Sequence, residues 1–191
     1  MKYANILGLL AVAALSLMVF AATASATIVT SNGSSYTGII EAESEGATTL
    51  DGIVDLTCNK STLKGSVESH GSLVTAEVHL SSLTLTECNV HMAVEVEGAL
   101  VAHATSNGNA TATSNGAVIL LTITSLGLTC EYTTSNTDIG TLTGSETTNG
   151  NATLDLEGSA IPRTGGSIFC GSSAEWTGSF KITTPSNLNL D

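Results

Sequence analysis

Beyond Thr27 the chain alternates apolar and polar residues with a period of two. Val74, Ala76, Val78 and Leu80 are interleaved with Thr75, Glu77 and His79, and Val90, Met92, Val94 and Val96 with His91, Glu95 and Glu97. Trp176, Phe180 and Ile182 are interleaved with Thr177, Ser179 and Lys181. Leu50, Val54, Leu56 and Cys58 read as one face of a further strand, with Asp51, Asp55 and Thr57 on the other. Successive side chains of a strand point to opposite faces, so this pattern buries one face and wets the other. Past the N-terminal region no segment repeats apolar residues at the three- and four-residue spacing of a helix. Asn-Gly, which favours the tight hairpin turn, occurs at Asn32-Gly33, Asn107-Gly108, Asn115-Gly116 and Asn149-Gly150. The expected fold is all-β: a single antiparallel β-sandwich or barrel-like domain of about 10–12 short strands.

One register is readable from the pattern. A hairpin turning at Glu97-Gly98 pairs Val90 with Ala104, Met92 with Ala102 and Val94 with Leu100, all apolar, and sets His91 opposite His103. Upstream, a bulge at Ser81-Ser82 keeps Leu80 on the face of Leu83 and Leu85. The phrase Asn107-Gly-Asn-Ala-Thr111 returns as Asn149-Gly-Asn-Ala-Thr153, an echo that either a duplication or chance repetition of turn residues explains.

The first 26 residues stand apart. Lys2, the apolar run Ile6–Ala22 and the small residues Ala24-Ser25-Ala26 have the layout of a secretory signal peptide, which leaves a domain of residues 27–191 and no membrane attachment once cleaved. Cys58, Cys88, Cys130 and Cys170 fit an exported chain with two disulfides. Four cysteines allow three connectivities. Sequence neighbours in a meander are usually spatial neighbours, which favours Cys58–Cys88 and Cys130–Cys170.

Charge narrows the partners. Seventeen Asp and Glu against five Lys and Arg exclude a nucleic-acid binder, which needs clustered cations. The acidic excess reads as solubility outside the cell, and the 42% hydrophobic content argues against disorder.

Gly127-Leu-Thr-Cys130, Gly165-Gly-Ser-Ile-Phe-Cys170, Ala174-Glu-Trp-Thr-Gly-Ser-Phe180 and Thr184-Pro-Ser, together with the leader, resemble small secreted proteins common in actinobacteria. The resemblance covers the last third and the cysteine layout. It implies a β-rich secreted fold of uncharacterised function and carries no catalytic residue across.

Chemistry-bearing motifs are sparse. The chain has no G-x-S-x-G, no phosphate loop and no H-E-x-x-H. Two clusters have ligand-type side chains. Glu41, Glu43 and Glu45 alternate along one strand, where they could meet a calcium ion with Asp51 or Asp55; the preferred reading is a solvated acidic edge that discourages strand-to-strand aggregation. His79, His91 and His103 with Glu95 and Glu97 have the donor types of a zinc or copper site, yet nothing in the sequence orients the imidazoles. The expectation for both clusters is solvent rather than metal, and no cofactor is implied. The leading expectation is a non-catalytic secreted structural or binding domain at or beyond the cell envelope, with the envelope or a carbohydrate as its candidate contact. The alternatives are a small-ligand or carbohydrate-binding β-sandwich and, third, a secreted hydrolase using an acid pair.

Overall fold

The computed structural model describes residues 29–52, 55–69, 75–89, 92–106, 108–124, 126–144 and 150–190. The segment expected to be a signal peptide and its expected cleavage site lie outside these residues, as do His91 and the Asn149 turn residue. The described chain is all-β, in thirteen strands: β1 (Val29–Ser31), β2 (Ser34–Ser35), β3 (Gly38–Ser44), β4 (Thr48–Asp51), β5 (Leu56–Ser69), β6 (Thr75–Cys88), β7 (Met92–Ser106), β8 (Asn109–Ile123), β9 (Leu128–Thr133), β10 (Thr137–Thr143), β11 (Thr153–Gly166), β12 (Ser173–Thr184) and β13 (Leu188–Leu190).

Ten of these strands form one antiparallel sheet whose ladders close on themselves. β5 pairs with β6, β6 with β7 and β7 with β8. β8 pairs with both β9 and β10, which follow one another along a single position, and β11 does the same on their other side. β11 pairs with β12, and β12 returns to β3 and β4, which share the last position and pair back to β5. The wall is therefore an up-and-down meander of eight positions with its first and last members joined. Closure removes the free edges that a sheet of long strands would otherwise expose.

The two shared positions are broken where one short strand hands over to the next, and buried hydroxyls fill the breaks. Between β9 and β10, the Thr134 backbone N–H donates to the Ala117 carbonyl (2.9 Å) and the Gly116 N–H to the Thr134 carbonyl (2.8 Å). The Thr134 side chain accepts from the Ala117 N–H (2.9 Å) and meets the Ser114 hydroxyl at 2.9 Å. At the β3–β4 break the Thr48 and Ser61 hydroxyls bond each other. A buried polar group without a partner is costly, so these pairs let the wall break inward without that penalty.

Apolar side chains fill the interior. Leu56, Ile123, Tyr132, Ile161 and Phe180 are almost wholly buried, and Trp176 meets Phe180 edge to face with centroids 6.0 Å apart. Outside run threonines and acids bonded across strands, such as Thr113 to Asp138 (2.7 Å), Thr141 to Glu157 (2.8 Å) and Thr133 to Thr164 (2.7 Å). Apolar-in and polar-out is the reverse of a membrane-spanning barrel. One end is covered by a small sheet in the order β13-β1-β2, with Val29, Leu188 and Leu190 buried beneath it.

The all-β fold, the Asn32-Gly33 hairpin and the bulge at Ser81 follow the sequence pattern; Lys64 pairs with Ser82 and Gly65 with Leu80, which leaves Ser81 as the extra residue. Four expectations are corrected. Six of the strands are 12 to 15 residues long rather than short. Leu50 and Leu56 are not on one strand; they face each other across the β4–β5 pair. There is no hairpin at Glu97-Gly98, because Met92–Ser106 is one strand. Its partner is β8, which offers a longer run of apolar matches: Met92 with Ile123, Val94 with Leu121, Val96 with Ile119, then Ala102 with Ala112 and Ala104 with Ala110. Asn115-Gly116 is no turn either. It lies within β8 as a bulge, between the pairs Glu97–Val118 and Ala99–Asn115, with Gly116 at φ 70°.

Candidate functional site

The end of the barrel away from the β13-β1-β2 cover carries the connections β4–β5, β6–β7, β8–β9 and β11–β12, and both disulfides lie towards it. Cys58–Cys88 joins directly opposed residues of β5 and β6, and Cys130–Cys170 ties β9 to the β11–β12 loop. Both pairings are those favoured by the meander argument. They fit a chain that matures in an oxidising compartment.

The β11–β12 loop, residues 167–172, is built rather than slack. β11 ends in Gly166, at φ 84°, where a Cβ would come within 2.3 Å of the Thr129 carbonyl oxygen; only glycine lets the two backbones approach so closely. The Ser167 N–H then donates to that carbonyl (2.9 Å), the Cys170 N–H to the Ser167 carbonyl (3.0 Å) and the Phe169 N–H to the Ser167 hydroxyl (3.3 Å). Arg163, half-buried on β11, donates through Nη1 to the carbonyls of Ser167 (2.9 Å) and Cys170 (2.8 Å). Charge-assisted bonds of this kind are among the stronger ones available to a protein. The disulfide closes the far end of the turn.

What this frame holds up is apolar. Ile168 is 83% exposed and Phe169 68%, and Leu126, in the neighbouring β8–β9 turn, is 58% exposed. Large apolar side chains on a locked, solvent-facing turn keep their conformational entropy cost low when they are covered by a partner. The sequence offered one signal for them: Ile168-Phe169 breaks the alternation, two adjacent apolar residues between Gly-Gly-Ser and Cys-Gly-Ser-Ser.

Behind the loop, Tyr132 on β9 pairs with Arg163 and is fully buried, and its hydroxyl has no hydrogen-bond partner among the described residues. Burial pushes the phenol pKa up, and the nearby Arg163 charge pulls it part of the way back.

The residues singled out for metal lie on β3, β4, β6 and β7, in the β3–β4 and β4–β5 connections, or outside the described residues. Glu41 is held by Lys64 Nζ at 2.6 Å, Glu43 sits in the ladders opposite Thr62 and Lys181, and Glu45 lies past the end of β3. β3 is bonded on both sides, so the acids do not guard an edge; closure leaves none there to guard. Asp51 ends β4 opposite Glu175, and Asp55 lies in the β4–β5 connection. His79 is exposed on β6 opposite Ser66 and Ala99. His103 stands opposite Thr75 and Thr111, and Glu95 and Glu97 opposite Leu120 and Val118. The His91–His103 pairing required the Glu97-Gly98 hairpin and goes with it. Among the described residues no three His, Cys, Asp or Glu side chains stand together as a metal site.

Comparison with family models, with curated proteins and with solved structures finds no match for this chain.

Proposed function

We propose that this is a non-catalytic, secreted binding module that works at the cell envelope and makes its contact through the 167–172 loop. The observation that carries the reading is the display of Ile168 and Phe169 on a turn locked by Arg163, Gly166 and the Cys130–Cys170 disulfide. A closed wall with an apolar interior supplies stiffness, and recognition falls to its connecting loops. The two disulfides and the leader-like N-terminus support placement outside the cell. The cavity under the β13-β1-β2 cover is lined, among the described residues, by aliphatic side chains and Lys64 with no carboxylate, imidazole or thiol, which supports binding over acid–base chemistry.

Sedimentation of mature protein with isolated bacterial cell envelopes tests the reading. Wild type is expected in the pellet, and the Ile168→Ser/Phe169→Ser variant in the supernatant with an unchanged melting curve. Arg163→Ala, which leaves both apolar side chains in place but frees the turn, is expected to bind more weakly than wild type. Wild type left in the supernatant would overturn the envelope assignment; a double variant that pellets like wild type would overturn the role of the loop.

A further inference from the structure

The barrel end that carries the 167–172 loop is acidic around its apolar tip. Glu131 lies on β9 opposite Gly165, just before the loop, and its carboxylate accepts a hydrogen bond from the Thr164 hydroxyl (3.3 Å). Glu175 follows the loop on β12, and Asp51 faces it directly across the β12–β4 pair. Both are exposed, because the next pair along, Trp176 with Leu50, takes the inner face. Asp55, in the β4–β5 connection, is exposed as well.

The cations of this end do not answer these acids. Lys60 is paired with Glu87 at 2.7 Å, and Arg163 turns its guanidinium to the loop carbonyls. Among the described residues Asp51, Asp55, Glu131 and Glu175 are in no ion pair. Elsewhere on the outer wall acids are matched with threonines, as in Thr113 with Asp138 and Thr141 with Glu157. Like charges directly opposite on a ladder are destabilising. Asp51 and Glu175 thus keep a repulsion that a threonine at either position would remove and that a cation from outside relieves.

This placement deepens the reading of the loop as a contact site, and rests on it. In protein–protein interfaces an apolar centre supplies affinity, while the charges around it select the partner and steer the encounter. The acids also decide between occupants. Anionic lipid headgroups would meet them as like charges, and a second copy of this end would bring the same acids together. We propose that the loop end docks on a protein with an apolar pocket for Ile168 and Phe169, bordered by lysine or arginine side chains, one of which sits between Asp51 and Glu175.

Sedimentation tests this with intact bacterial cell envelopes, with the protein-free wall prepared from them and with vesicles of their extracted lipids. Wild type is expected to pellet with intact envelopes alone, and to bind them about tenfold more weakly in about 0.5 M than in about 0.05 M NaCl. Asp51→Asn/Glu131→Gln/Glu175→Gln leaves the loop untouched. It is expected to bind about fivefold more weakly at low salt, to lose most of the salt dependence and to melt no lower than wild type. Wild type that pellets with the wall or the vesicles would overturn the protein partner and leave the loop reading standing. Binding to intact envelopes that neither salt nor the triple variant changes would overturn the cationic border, and a lower melting temperature of that variant would overturn the repulsion. Wild type that pellets with none of the three would overturn the loop reading itself, and this proposal with it.

Discussion

Phe180→Ala is expected to cost about 3–5 kcal/mol, the range for deleting a buried aromatic ring from a core that relaxes only in part. The position admits little relaxation. Phe180 is fully buried on β12, opposite Leu154 of β11 on one side and Ser44 of β3 on the other, at the seam where the wall closes. Its ring also meets Trp176 edge to face, an arrangement that adds about 0.5–1.5 kcal/mol beyond burial alone. Urea unfolding reads the loss as a lower midpoint with the slope retained. A midpoint within error of wild type would mean that the ring does not lie inside.

Removing the Cys130–Cys170 bond as the double serine variant is expected to cost about 4 kcal/mol. On the chain-entropy model the bond closes a 40-residue loop in the unfolded chain. Cys58–Cys88, closing 30 residues, is worth slightly less on the same model. The two variants separate in where the structure loosens. Cys58 and Cys88 are already paired within a ladder that runs the length of β5 and β6, so their loss leaves the far end of that ladder intact. Cys170 lies beyond β11, and without its bond the 167–172 loop is left to Arg163 and the Ser167 bonds. Amide exchange in residues 164–172 is therefore expected to quicken in Cys130→Ser/Cys170→Ser and to stay near wild type in Cys58→Ser/Cys88→Ser. Equal exchange in both would show that the bond does not hold the loop.

Much of this wall was legible because alternation and turn chemistry act locally. Asn32-Gly33 turns as its dipeptide suggests, and both disulfides follow from a meander in which neighbours in sequence are neighbours in space. Register was not legible at Glu97-Gly98, because an alternating strand looks equally complementary when folded on itself or laid against the next alternating strand. The longer match with β8 decides, and that comparison needs the whole sheet. Asn115-Gly116 misleads for a related reason. The positive φ that glycine supplies serves a bulge as well as a turn, and Gly116 spends it reaching the Thr134 carbonyl at the β9–β10 break.

The candidate site was the least legible part. Alternation marks residues that are buried, so the acidic and histidine clusters drew notice by chemical type, and among the described residues no three of them come together as a metal site. Ile168 and Phe169 follow no periodic rule. Their significance comes from Arg163, Gly166 and Cys170, which together stiffen one turn and are recognisable as a unit only after β9 and β11 are placed side by side.

The rigid display of the loop and the facing of Asp51 with Glu175 both depend on closure of the wall. The direct measurement is the set of inter-strand backbone NOEs at the seam, from Lys181 to Glu43, Ile182 to Ala42 and Trp176 to Leu50. All three are expected in the same sample as the hairpin NOEs of β5 with β6 and β7 with β8. Hairpin NOEs without the seam contacts would describe an open sheet and contradict the closed barrel.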